Sequence, residues 1–180
     1  MLLDVTQSLL LIIDAQERLM PTIAHHDRLI DRMLVLLRSA AELGVPVMAT
    51  EQYPKGLGHT IPAIAAQLEG HPVLEKTAFS ATEEPGLEEQ VRAFRRPQIV
   101  IAGVEAHICV LQTAIGLQAR GYTPLVIADA VGSRQDESKD IALHRLKGCG
   151  IVVATVEMVA FEWLRRAGTD AFKRVSKLIR

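Results

Sequence analysis

Short apolar segments recur along the chain, and each is separated from the next by a longer stretch with helical periodicity. The segments are rich in Val, Ile and Leu and show no alternation with polar residues, which is typical of strands buried on both faces of a parallel sheet. Alternating strands and helices predict an α/β fold with helices on both faces of the sheet. The predicted strands comprise residues 8–13, 45–50, 73–75, 98–102, 124–128 and 151–155.

The longest helical pattern covers residues 27–43, where apolar side chains recur every three or four positions. Gly44 follows, as glycine commonly does after the last turn of a helix. Because the chain has 180 residues and contains no repeat or linker, we expect one domain, residues 1–180, with a substantial core. Further helices are predicted at residues 60–68, 85–94, 111–120, 136–147, 156–166 and 170–178.

Three chemically reactive side chains follow predicted strands. Asp14 follows the first strand, Lys76 the third, and Cys109 lies where the fourth strand leads into a helix. In open parallel sheets, binding sites form outside the carboxyl ends of the strands, so these groups could meet. Each also has a plain structural explanation: an Asp that caps a loop, a solvated Lys, or a Cys that acts as a small buried hydrophobe.

The position of Cys109 near the start of a predicted helix favours a reactive thiol. Unpaired N–H groups and the partial positive charge at a helix N-terminus stabilise a thiolate, which is the nucleophilic form. The same N–H groups can bind an oxyanion. We therefore expect Cys109 to be an activated nucleophile.

Together, these segments resemble the isochorismatase-like cysteine hydrolases, a family that includes nicotinamidases and N-carbamoylsarcosine amidohydrolase. The resemblance covers roughly residues 6–165, and it implies a three-layer, Rossmann-like α/β/α fold with a six-stranded parallel sheet of order 3-2-1-4-5-6. Residues 50–58 (TEQYPKGLG) resemble the subgroup of isochorismatase domain-containing proteins. The segments that match the wider family are residues 11–16 (LIIDAQ), 75–80 (EKTAFS) and 103–110 (GVEAHICV).

The resemblance implies a triad of Asp14, Lys76 and Cys109 that hydrolyses a small amide or carbamoyl-type C–N bond through a thioester. Asp14 would take the thiol proton, while Lys76 would orient Asp14 and help to stabilise the anionic stages. The family places a cis peptide in the loop before the cysteine, which here falls between Val104 and Glu105. The oxyanion would then be bound by the backbone N–H groups of Glu105 and Cys109.

The chain also departs from parts of the family pattern. Residues 51–54 read Glu-Gln-Tyr-Pro where nicotinamidases carry a metal-binding Asp-x-His motif, and His59 and His71 lack metal-ligand spacing. We therefore expect neither a metal nor another cofactor, and we do not expect nicotinamidase activity. Some relatives lack the cysteine and cleave the vinyl ether of isochorismate, and Cys109 argues against that chemistry here. Ala106 replaces a threonine that many relatives carry.

Several other residues are candidates for secondary roles. Gln16, Tyr53 and Phe79 are candidate substrate contacts, although Gln16 could equally cap the adjacent loop. Residues 52–60 form a candidate gating loop or an ordinary surface connection. His107 is predicted to be non-catalytic, because positions two apart on a helical turn point in different directions.

Composition limits the range of partners. The chain has 20 Lys and Arg against 21 Asp and Glu, so we expect a small-molecule substrate rather than nucleic acid or an anionic membrane. No apolar run is long enough to span a bilayer and no signal peptide is evident, so we expect a cytoplasmic location where thiols stay reduced. The resemblance implies a homo-oligomer, either a dimer or a tetramer. Two alternatives to an enzyme remain: a binding protein without turnover, and a protein regulated by reversible oxidation of Cys109.

Overall fold

The structure is a computed structural model that describes residues 1–179 of the chain, so Arg180 lies outside the described residues. Six parallel strands form one sheet in the order β3-β2-β1-β4-β5-β6, which confirms the predicted fold class and strand order. The strands are β1 (Ser8–Ile13), β2 (Val47–Gln52), β3 (Val73–Lys76), β4 (Gln98–Val104), β5 (Thr123–Gly132) and β6 (Val152–Ala154).

Helices cover both faces of this sheet. One face packs against α1, α7 and α8, and the other packs against α4, α5 and α6. Every helix among residues 1–179 is too short or too polar to cross a membrane. The helices are α1 (His26–Leu43), α2 (Pro54–Leu57), α3 (Pro62–Ala65), α4 (Leu87–Ala93), α5 (Leu111–Ala119), α6 (Asp136–Gly148), α7 (Val156–Leu164) and α8 (Asp170–Ile179).

The central strand β1 joins the two halves of the core. Because successive side chains of a strand point to opposite faces, Leu10 and Ile12 pack into the core on the α1 side, whereas Leu9, Leu11 and Ile13 pack on the α5 side. Burial of each of these side chains contributes about 1.5–3 kcal/mol. A strand buried on both faces therefore explains the continuous apolar run in the sequence.

Several boundaries differ from the sequence prediction. Strand β2 extends to Gln52, because Glu51 and Gln52 are buried and hydrogen-bonded rather than solvated, and β4 extends to Val104, whose apolar side chain is buried in the core. The helix predicted at residues 60–68 is restricted to Pro62–Ala65, and the loop predicted at residues 52–60 contains α2. Helix α5 is preceded by a π-helical turn, Ala106–Val110.

Gly103 is required where β4 passes closest to β1. It pairs with Ile13 in the sheet register and has a φ of 118°, a conformation that side chains other than glycine rarely adopt. A Cβ atom at this position would lie 2.0 Å from the backbone oxygen of Ile13. Gly103 therefore lets β4 approach the end of β1, directly before Asp14.

We expect Gly103→Ala to lower the free energy of unfolding by at least about 3 kcal/mol, because the new Cβ collides with backbone rather than with a movable side chain. Gly121→Ala is the matched control. Gly121 has a φ of 84°, but a Cβ added to it would have no atom within 4 Å, so the control carries the backbone strain alone, about 1–2 kcal/mol. Denaturant unfolding of both variants measures the difference, and equal losses would contradict the steric explanation.

Candidate active site

A buried ion pair joins the ends of β1 and β3. The Lys76 Nζ lies 2.8 Å from the Asp14 Oδ2, and both side chains are shielded completely from solvent. Asp14 directly follows β1 and has a φ of 52°, a left-handed conformation that Asp adopts more readily than most residues. Burial of two charges is costly unless each is paired and hydrogen-bonded, so the surroundings of this pair are informative.

The Lys76 ammonium is surrounded by acceptors only. Besides Asp14, it contacts the Gln52 Oε1 at 2.5 Å and the backbone oxygens of Ala78 and Phe79, each at 3.3 Å. An ammonium has three N–H donors and no acceptor, so these oxygens account for all its donors. The protein itself therefore satisfies the hydrogen-bonding capacity of Lys76.

Cys109 completes this cluster. It lies in the π-helical turn before α5 and is only 6% exposed, and its thiol is close enough to the Asp14 carboxylate and the Lys76 ammonium for both charges to act on it. Burial raises the pKa of Cys109 to about 12, the negative charge of Asp14 acts in the same direction, and Lys76 opposes both. The raised pKa favours a neutral thiol, because loss of solvation outweighs the favourable effect of the helix start. At neutral pH, the thiol needs a base, and a carboxylate lies next to it.

The loop between β4 and the π-helical turn presents a backbone donor beside this cluster. The Val104–Glu105 peptide bond is cis. The buried Glu105 N–H forms no hydrogen bond with any residue in the range 1–179. Such a donor suits an anionic oxygen of a bound molecule.

The residues directly after β5 brace this loop. The Glu105 Oε2 accepts hydrogen bonds from the backbone N–H and the Nε of Arg134, at 2.9 and 3.1 Å. The His107 Nδ1 lies 2.9 Å from the Ser133 Oγ. His107 is therefore engaged with the bracing residues, which agrees with the non-catalytic role predicted for it.

Two residues of the cluster, Thr50 and Gln52, were not among the site residues predicted from the sequence. The Thr50 Oγ1 donates to the Asp14 Oδ1 at 2.7 Å, and the Gln52 carboxamide bridges the Lys76 Nζ and the Thr77 backbone oxygen. They lie two positions apart on β2, so their side chains share the face that carries the ion pair. That spacing, beside the strand that carries Asp14, was the available signal.

The three candidate substrate contacts lie in different environments. Gln16 is fully buried, and its carboxamide bonds the Gln52 N–H, the Gln52 oxygen and the Gly58 oxygen at 2.7, 2.9 and 2.6 Å, so it braces the loop after β2. Tyr53 and Phe79 are 54% and 56% exposed, next to the residues that surround Lys76. Tyr53 also lines a cavity of about 300 Å³ that reaches Lys76. Substrate contact by Tyr53 and Phe79 stays a prediction.

A second cavity, of about 350 Å³, lies between α1 and α6 at the ends of β5 and β6. Its lining mixes both charges, with Arg28 and Lys139 beside Asp129 and Asp140. None of the Asp14, Lys76 and Cys109 side chains lines it. We therefore locate the candidate active site by its chemistry and not by cavity size.

The position that binds metal in nicotinamidases has a different role here. The Glu51 carboxylate accepts hydrogen bonds from the Thr60 N–H and Oγ1, both at 2.7 Å, and contacts the His59 Nδ1 at 2.9 Å. The hydrogen bond with Glu51 raises the pKa of His59. Residues 1–179 contain no group of three or more His, Cys, Asp or Glu side chains arranged to hold a metal ion.

The isochorismatase domain model matches residues 8–158, a span that contains every member of the cluster. The chain belongs to the isochorismatase domain family. It is 34% identical over 174 residues to isochorismatase domain-containing protein 2A of Mus musculus, covering 96% of this chain and 82% of that protein.

Solved structures of related proteins share the same architecture. The MAR1 ribonuclease of Caenorhabditis elegans superposes on this isochorismatase domain with a TM-score of 0.93 at 34% identity, covering 99% of this chain and 92% of that one. The YcaC gene product of Escherichia coli, described as an octameric hydrolase of unknown specificity, superposes with a TM-score of 0.92 at 23% identity, covering 98% and 90%. The second likeness concerns the fold alone.

The pKa of Cys109 predicts a thiol that stays protonated through the neutral range. In a Cys149→Ser background, which removes the exposed second thiol, we expect the thiolate absorbance near 240 nm to stay flat below about pH 10 and to rise above it. Cys109→Ala in the same background gives the baseline. An ionisation step near pH 7 would show that the helix start dominates after all.

The contacts of Gln16 predict a structural role. We expect Gln16→Leu to lower the free energy of unfolding by about 2–3 kcal/mol, because the Gln52 N–H and two carbonyl oxygens lose their partner in a buried position. The control is Gln118→Leu, since the Gln118 carboxamide makes a single exposed hydrogen bond to the Cys149 oxygen. A Gln16→Leu protein as stable as the control would indicate that Gln16 is free to contact substrate.

Proposed function

We propose that this protein is a cysteine-dependent hydrolase that cleaves a small amide or carbamoyl-type C–N bond through a thioester. The observation that carries the proposal is the placement of a buried thiol, Cys109, beside the buried Asp14–Lys76 ion pair, whose charges both act on its pKa. A thiol in this state becomes a nucleophile only when a base takes its proton, and Asp14 is positioned for that task. Membership of the isochorismatase domain family supports the proposal.

In the first step, Asp14 accepts the thiol proton as the Cys109 sulfur attacks the carbonyl carbon. The new S–C bond moves an electron pair onto the carbonyl oxygen. That oxyanion is stabilised by the backbone N–H groups of Glu105 and Cys109. The unpartnered Glu105 N–H supports this assignment.

In the second step, the tetrahedral intermediate collapses. The oxyanion re-forms the carbonyl, Asp14 delivers its proton to the leaving nitrogen, and the C–N bond breaks to give a thioester on Cys109. Asp14 then takes a proton from water as the water attacks the thioester, and it returns this proton to the Cys109 sulfur as the S–C bond breaks, which releases the acid and regenerates the thiol. Because protein oxygens account for the donors of Lys76, we assign it the task of holding Asp14 and balancing its charge.

The redox, ribonuclease and binding-protein alternatives have less support than a hydrolase. A redox role requires a thiolate in the resting protein, and the raised pKa of Cys109 disfavours that form. RNA belongs in a substrate panel because a structural relative carries the name ribonuclease, but a net charge of −1 offers little attraction for a polyanion. A binding protein without turnover is the alternative that an activity experiment has to exclude.

The first experiment is intact-mass spectrometry during incubation with a panel of amides, carbamates, esters and an RNA oligonucleotide. We expect a transient acyl adduct on the unsubstituted protein and on Cys149→Ser, and none on Cys109→Ala. Asp14→Asn should slow turnover by about 10²–10⁴-fold, because it removes the base and acid. Turnover by Cys109→Ala would rule out covalent catalysis at that residue, and the absence of any adduct or turnover would favour the binding protein.

We also propose that the protein assembles as a homo-oligomer and acts on a small molecule. The octameric state of the E. coli structural neighbour supports assembly. The exposed apolar side chains Met158 and Phe161 on α7 offer a surface for it, whereas Trp163 on the same helix packs into the core.

A further inference from the structure

We propose that Thr50 is a positioning residue for Asp14 and that its hydroxyl fixes the carboxylate in the orientation needed for proton transfer. This inference rests on the proposed function, because it assigns Asp14 the task of moving the proton. Thr50 lies on β2, and none of the hydrogen bonds described above joins it to Cys109 or to the loop after β4.

The two oxygens of Asp14 are held by donors from two different strands. The Thr50 Oγ1 on β2 donates to Oδ1 at 2.7 Å, and the Lys76 Nζ on β3 donates to Oδ2 at 2.8 Å. Lys76 is itself fixed by Gln52 and two backbone oxygens. Both anchors are therefore rigid.

Two hydrogen bonds, one to each oxygen, restrain the orientation of the Asp14 carboxylate, whereas one does not. The final torsion of an Asp side chain is soft, with a broad distribution, so a carboxylate held at one oxygen can still rotate. In the proposed mechanism, the same carboxylate takes a proton from sulfur and returns it to nitrogen, so its plane has to stay aligned with both atoms. A second donor at Oδ1 prevents the rotation.

The hydroxyl of Thr50 is not needed to hold the strands together. The backbone oxygen of Thr50 already accepts a hydrogen bond from the Asp14 N–H at 3.1 Å. A buried hydroxyl usually finds a main-chain oxygen, as Ser39 does by donating to the Val35 oxygen at 2.7 Å. Thr50, only 1% exposed, instead donates to a carboxylate beside the reactive thiol.

The test uses alkylation of Cys109 by iodoacetamide and so does not depend on knowing the substrate. The rate constant for labelling Cys109 is measured from pH 4 to 10 in the Cys149→Ser background. Thr50→Val removes the hydroxyl and keeps the shape, and Thr50→Ser keeps the hydroxyl. Thr50→Ala is the counterpart of Thr50→Ser that differs only by the hydroxyl, and this pair serves if the valine variant does not fold.

In the parent protein, we expect Asp14 to accept the thiol proton during alkylation. Thr50→Val should lower the rate constant for labelling by about tenfold through loss of alignment. Thr50→Ser should stay within about twofold of the parent. With a hydrolysed substrate, the loss should appear in kcat and not in KM.

A double-mutant cycle shows whether Thr50 acts through Asp14. In the Asp14→Asn background, Thr50→Val should leave the rate constant for labelling unchanged. An unchanged rate constant in Thr50→Val, an equal defect in Thr50→Ser, or a tenfold effect that persists in the Asp14→Asn background would each overturn the inference. These outcomes leave the proposed function intact, whereas its own failure appears as turnover by Cys109→Ala. Equal labelling of the parent and of Asp14→Asn would overturn both roles of Asp14.

Discussion

The buried pairing of Asp14 with Lys76 is the interaction on which the architecture of the site depends. Each charge has left water, so the pair is tolerable only while every neighbouring oxygen and donor stays in place. Those neighbours come from the ends of β1, β2 and β3 and from the turn after β3. The carboxyl ends of β1, β2 and β3 must therefore lie at the same level along the strand direction.

The position of Cys109 shows why a local pattern does not set a protonation state. Its neighbours along the chain, the start of a helix and a loop with a free N–H, favour an anion. In space, it belongs to a buried apolar cluster that also contains Ala81, Leu87 and Ile13, and this burial and the nearby carboxylate of Asp14 favour the neutral thiol. Because the neutral form prevails, the proposed chemistry couples nucleophile formation to attack instead of storing a thiolate.

The α/β fold class was predictable from the sequence, because most strands are apolar runs and the longer helices have a clear period, whereas the strand order came from the family resemblance. The sequence also located Asp14, Lys76 and Cys109, since each follows a strand. Thr50 and Gln52 were not predicted as site residues, because polar residues at the end of an apolar run usually indicate that a strand has ended. The role of Gln16 stayed open because its partners lie about 40 positions away, in a loop whose path the pattern does not specify.

The alternation of side chains along β2 limits the sequence changes that this strand can accept during evolution. Thr50 and Gln52 face the ion pair, while Glu51 between them faces Thr60 and His59. Loss or gain of one residue within the strand would exchange the two sets and place the Glu51 carboxylate against Asp14. An insertion or deletion within β2 would therefore disturb the site more than a substitution at any single position of the strand, because it would displace Thr50 and Gln52 together.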